Sequence, residues 1–155
     1  GIRVPFIMRW PGHIKPGTIS TKPTTSADIY ATITDIAGNK VKPNSPLDGR
    51  SLLSDIKNGQ NNKTNDLFWY YPHYAPQGNK PGAAVRSGKF KLIEFYDPYG
   101  VELYDLSVDI GENYNISDSL TSVTTNMLKK LHKWLDEVDP IMHTMNPGYV
   151  EKENK

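Results

Sequence analysis

Residues 120–138 constrain this chain more than any other stretch. Leu120, Val123, Met127, Leu128, Leu131, Trp134, Leu135 and Val138 recur at helical spacing and fall on one apolar stripe. Ser117, Asp118 or Ser119 offers the N-cap, and Pro140 ends the run. An isolated helix of this length is marginal in water, so the stripe demands a partner to bury it.

That partner stands just upstream. "LFWYY" reads as a strand, and "GAAVRSGKFKLIEFYDPYGVELYDL" reads as a meander of three. Ser87-Gly88 supplies a tight turn between Ala84–Arg86 and Lys89–Phe95, and "DPYG" turns into Val101–Tyr104. In the middle strand Phe90, Leu92 and Glu94 share one face, while Lys89, Lys91, Ile93 and Phe95 share the other. This imperfect alternation predicts that both faces are partly covered. One long helix packed on an antiparallel sheet makes residues 64–147 an α+β subdomain. The polar stretch 148–155 reads as a loose tail.

The first third has another character. In "GIRVPFIMRWPG" the segment Val4–Trp10 is short, dense and turn-bounded, and reads as a strand buried on both faces of an α/β sheet. A Pro/Gly turn region, "PGHIKPGTIS", follows it. "TTSADIYATITDIAGNK" then predicts a helix with Ser26 as N-cap, Asp28 near the positive end, Ile29, Ile33 and Ile36 on one face, and Gly38 as the stop. "VKPNSPLDGRSLLSDIKNG" is mostly loop, with one helical turn around Leu52–Lys57. Residues 1–58 read as the closing strand and helix of an α/β domain, and the polar run 59–66 as a linker or exposed loop.

Composition narrows the function. The 18 basic and 17 acidic residues nearly cancel, so no basic footprint argues for nucleic acid. With no Cys the chain has no disulfide framework, thiolate zinc site or thiol nucleophile. No apolar stretch approaches the roughly 18 residues of a membrane span. No GxSxG elbow, phosphate-cradling Gly loop or helix with paired His ligands occurs, so these residues describe scaffold and pocket wall.

Among single residues, His73 and Tyr74 in "FWYYPHYAPQG" suit contact with a polar ligand such as a sugar. The plainer reading is a loop histidine packed among aromatics. Arg3 and Arg86, beside apolar strands, are candidates for an anion or for a structural ion pair. The acidic "YDPYG" and "DLSVDIGEN" lack the carboxylate spacing of a calcium loop and fit turn chemistry better. His132 lies on the polar flank of the last helix and reads as solvated. Asn62-Lys63-Thr64 and Asn115-Ile116-Ser117 match the glycosylation acceptor pattern, which is a permissive one.

The segments "GIRVPFIMRWPGHIKPG", "TTSADIYATITDIAG", "LDGRSLL", "LFWYYPHY", "AAVRSGKFKLIEF" and "VELYDLSVDIGENYNI", in that order, resemble the C-terminal part of a formylglycine-dependent sulfatase of the alkaline phosphatase-like superfamily. The resemblance runs from Gly1 to about Pro147. It implies an α/β remnant followed by the smaller sheet-and-helix subdomain, which in that family leans over the active-site cleft. It also implies calcium and a formylglycine nucleophile made from Cys or Ser in a Cys/Ser-x-Pro-x-Arg motif. This sequence contains no such motif, so no catalytic or metal-binding residue is carried over to it. The implied partners are a missing N-terminal portion, on the same or a companion chain, and a sulfated carbohydrate or aryl sulfate. The implied setting is periplasmic or secreted. Two other readings stand beside this one: a phosphodiesterase or phosphonate-ester hydrolase of the same superfamily, and a non-enzymatic carbohydrate-binding module built on "FWYYPHY".

Overall fold

A computed structural model of the chain describes residues 2–39, 49–58, 65–76, 78–142, 144 and 148. The chain divides into two compact units, Gly1–Thr64 and Asn65–Lys155. The polar run 59–64, including Asn62-Lys63-Thr64, and most of the tail lie outside the described residues.

The first unit is built on α1 (Ser26–Ile36) and α2 (Leu53–Asn58). The N-cap of α1 is Thr25, one residue ahead of the expected Ser26. Asp28 decides this: from the third helical position its Oδ2 accepts the Thr25 N–H at 2.8 Å, half of a capping box. Its Oδ1 accepts the Arg50 N–H at 2.8 Å, so the buried carboxylate also holds the returning chain. Thr32 extends the contact, donating to the Asp28 carbonyl at 2.6 Å and accepting the Leu52 N–H at 2.9 Å. Segment 49–52 therefore lies along the helix with two of its amides fixed by helix side chains. At Gly49 a Cβ would stand 2.2 Å from the Ala27 carbonyl atoms, so only glycine allows this approach. Asp55 in α2 receives Lys22 and Arg50, each at 3.0 Å. Burial alone would raise its pKa, but the hydrogen bonds and charges of those two cations outweigh burial and lower it. Gly38, at φ +75°, closes α1 in the left-handed conformation, as expected.

One expectation for this unit fails. Val4–Trp10 forms no strand, and Val4 and Ile7 are 74% and 90% exposed. A strand needs a ladder, and none of the described strands pairs with this segment. The face carrying Ile29, Ile33 and Ile36 is exposed as well; α1 buries Asp28, Ala31 and Thr32 instead. Polar side chains won the inner face because the docked loop presents backbone N–H groups that need acceptors.

The second unit is the anticipated α+β fold. Strands β1 (Leu67–Tyr71), β2 (Gly82–Ser87), β3 (Phe90–Tyr96) and β4 (Tyr99–Asp105) form an antiparallel meander in the order β1-β2-β3-β4. The register aligns Phe68 with Val85, Val85 with Leu92, and Leu92 with Leu103. Onto this row α3 (Thr121–Val138) lays its stripe: Met127 and Leu131 join Ala83, Val85, Leu92 and Leu103 in the core. Trp134 stacks on Phe68 at 5.0 Å between ring centroids. The turn between β2 and β3 is Gly88-Lys89, one residue later than read, with Gly88 at φ +57°.

Both sheet faces are covered, as the pattern of β3 predicts. On the face away from α3, Lys91 is buried and donates to Glu112 at 2.5 Å. Beside it, burial first and the Glu102 carboxylate second push the Tyr104 hydroxyl above its usual range. On the helix face Glu94 is also buried, and His132 of α3 donates Nε2–H to it at 2.9 Å. His132 is therefore a bridge from helix to sheet as well as a half-exposed surface residue. None of Ser117, Asp118 and Ser119 is the N-cap of α3, which falls at Leu120. Thr124 Oγ1 bonds the Ser117 and Leu120 carbonyls from inside the helix, and Asn115 Oδ1 accepts the Ser117 N–H at 2.9 Å. Asn115 also accepts the Leu103 N–H and donates to the Val101 carbonyl, pairing the outer edge of β4. The acidic loop after β4 does turn chemistry: Asp109 accepts the N–H groups of Asn113 and Tyr114, and Asp105 accepts that of Ser107.

Two outcomes follow. Leu131→Ala leaves a cavity where a fully buried side chain sits in the core between helix and sheet, and costs about 2–5 kcal/mol by urea denaturation. Lys89 first, then Ser107, hold the Asp105 pKa down to about 2. A depressed carboxylate stabilises above its unfolded pKa, near 3.9, and loses that contribution as pH falls toward 2. Asp105→Asn therefore flattens stability against pH between about 4 and 2, read from melting temperature across that window.

Candidate substrate-contact site

The two histidine-loop candidates stand together at one end of the sheet. The chain leaves β1 at Tyr71 and enters β2 at Gly82, so residues 72–81 share an end with the β3–β4 turn at Asp97-Pro98. The loop is folded on itself: Ala75 N–H donates to the Asn79 carbonyl at 3.2 Å and Gly78 N–H to the Ala75 carbonyl at 2.9 Å. Gly78 adopts φ +89°, a conformation that favours glycine. At its base the Pro81 carbonyl accepts the Tyr96 N–H at 2.9 Å.

His73 is exposed and meets Tyr71 edge to face, with ring centroids 5.6 Å apart. Tyr74 is 63% exposed, and its hydroxyl donates to Asp97 Oδ2 across the gap between loop and turn. Tyr99, 69% exposed, follows two residues later. Behind this rim Tyr70 and Tyr96 pack at 6.3 Å, and Tyr70 donates to the Ile141 carbonyl at 2.8 Å. Burial, with the nearby Glu94 charge second, pushes the Tyr96 hydroxyl up to about 12, so it stays protonated. The rim thus offers aromatic faces, an imidazole and a carboxylate on a braced loop. Such groups bind hydroxyl-rich molecules.

The other candidates are not part of it. Arg86 sits near the far end of β2, aligned with Leu67 and Lys91, about 13 Å of strand from Gly82. Arg3 is exposed in the first unit. Sequence reading missed Asp97. "DPYG" signalled a turn, and nothing local to it shows that the loop tyrosine reaches the same carboxylate. Among the described residues no three His, Asp or Glu side chains cluster to hold a metal ion. Among them, no helix is long and apolar enough to cross a membrane.

Comparison with known proteins agrees with this architecture. A family model described as N-sulphoglucosamine sulphohydrolase, C-terminal, matches residues 1–139. A sulfatase of Formosa agariphila is 32% identical over 87% of this chain, and human arylsulfatase A is 33% identical over 84%. The chain spans 27% and 29% of the length of those two relatives. Among solved structures, BT4656 in complex with its substrate D-glucosamine-2-N,6-O-disulfate aligns with a TM-score of 0.70 at 26% identity, covering 84% of this chain and 28% of that one. The phosphonate monoester hydrolase of Agrobacterium radiobacter shares the fold, with a TM-score of 0.55 at 24% identity over 75% of this chain and 25% of its own. Matched over nine-tenths of its length by that model, this chain belongs to the sulfatase family, in the C-terminal region that the model describes.

Proposed function

We propose that this chain serves as the C-terminal part of a sulfuric ester hydrolase that removes sulfate from a sulfated carbohydrate or an aryl sulfate. The observation that carries the reading is the match of the sulfatase C-terminal model to residues 1–139, which spans both units. In this reading the nucleophile, a formylglycine, and the calcium that neutralises sulfate oxygens belong to the remainder of the enzyme. These residues supply support and a wall of the substrate pocket. The exposed Val4, Ile7, Tyr30 and Ile33 of the first unit are surfaces that the remainder of the α/β domain covers. His73 and Tyr74 contact the substrate from the loop between β1 and β2. Arg86, beside Lys91, has a structural role in the sheet.

A phosphonate-ester hydrolase is the second reading, favoured by the shared fold with the Agrobacterium enzyme. The family model weighs against it, because it describes a sulphohydrolase.

An aryl sulfate assay tests the proposal. The homogeneous 155-residue chain gives no turnover, with or without added calcium, whereas the longer protein that contains these residues hydrolyses the ester. Turnover by the chain alone, or a longer protein that cleaves phosphonate esters and not sulfates, would sink it. In the longer protein His73→Ala raises KM for a sulfated saccharide about tenfold and changes kcat less, as expected for one lost substrate hydrogen bond.

A further inference from the structure

Asp97 is the carboxylate that the rim adds to the sequence-derived candidates, and it is unlike the acids of its unit that are held in ion pairs. Asp66 pairs with Lys130, Asp105 with Lys89, Glu112 with Lys91 and Glu94 with His132. Asp97 is exposed, and among the described residues no ion pair neutralises it. Its one recorded contact is the Tyr74 hydroxyl, which donates to Oδ2. That contact ties Tyr74 to the β3–β4 turn and leaves Oδ1 of this exposed residue without a hydrogen bond among the described residues.

An ionised carboxylate only accepts hydrogen bonds. Whatever sits against Oδ1 must donate, and a like charge there is repelled. A sugar hydroxyl meets both conditions; a sulfate half-ester meets neither, being an anion with no hydrogen to give. The exposed rings of Tyr74 and Tyr99 provide the apolar faces on which a pyranose ring lies. We propose that Asp97, positioned by Tyr74, is a specificity-determining residue that reads hydroxyl groups of an unsulfated sugar unit at this end of the sheet and discriminates against a sulfate there. This rests on the reading that the loop between β1 and β2 faces the substrate, and adds which part of the substrate it faces.

Binding, measured apart from turnover, tests it. The chain is titrated with N,N′-diacetylchitobiose and with the same disaccharide carrying a 6-O-sulfate, following the NMR resonances of Tyr74, Asp97 and Tyr99. The neutral sugar shifts these resonances and binds more tightly than the sulfated one, by on the order of fivefold for an exposed charge. Asp97→Asn keeps an acceptor for Tyr74 but removes the charge, and brings the two affinities within about twofold of each other. The inference is overturned if neither sugar shifts the rim, if the sulfated sugar binds as well as the neutral one to the unaltered chain, or if Asp97→Asn leaves their ratio unchanged. Loss of aryl sulfate hydrolysis in the longer protein would end the sulfatase reading and leave this result standing, so the two failures are separable.

Discussion

The second unit depends on one burial event: the stripe of α3 against the row Val85, Leu92 and Leu103. All three residues, with Leu131 above them, are fully withdrawn from solvent. Burying four such side chains contributes about 1.5–3 kcal/mol each, more than the hydrogen bonds around them add. Everything exposed in this unit is placed by that contact. The sheet needs a covered face to hold its register, because a slip of one residue would turn Leu92 outward and Lys91 inward.

The same contact explains why the polar bridges sit where they do. Glu94 follows Leu92 on the helix face and would be a buried, unpaired charge without His132. On the far face Lys91 has the same difficulty, and Glu112 from the loop after β4 resolves it. Helix and loop thus each bring one group to the sheet that the sheet cannot supply, and the loop that carries Glu112 is itself held by Asp109 and Asn115.

The proposed substrate contacts lie at the end of the sheet where β1 passes into β2 and β3 into β4. The loop after β1 and the turn after β3 emerge side by side because the meander alternates direction, which brings His73, Tyr74 and Asp97 to one rim. Rigid strands carrying variable loops is a common way to build a recognition surface, since loop residues change without disturbing the core. The region matched by the sulfatase model includes the residues of this rim.

Local pattern in the sequence was enough for the elements themselves. Steps of three and four fixed α3, alternation and turn residues fixed four strands, and Gly38 marked the end of α1, because each of these depends on neighbours within a few positions. The order of weak segments also identified the family, since order is a property of the chain. Pairings across distance were decided only by tertiary structure. Periodicity cannot say whether Val4–Trp10 has a ladder, so an apolar run that reads as an inner strand lies unpaired and exposed. The isoleucines of α1 share a face, yet that face is open, because the loop at 49–52 docks through Asp28 and Thr32 on the other side. Asp97 and Tyr74 are 23 residues apart, and only the folded meander brings one hydroxyl to the other's carboxylate.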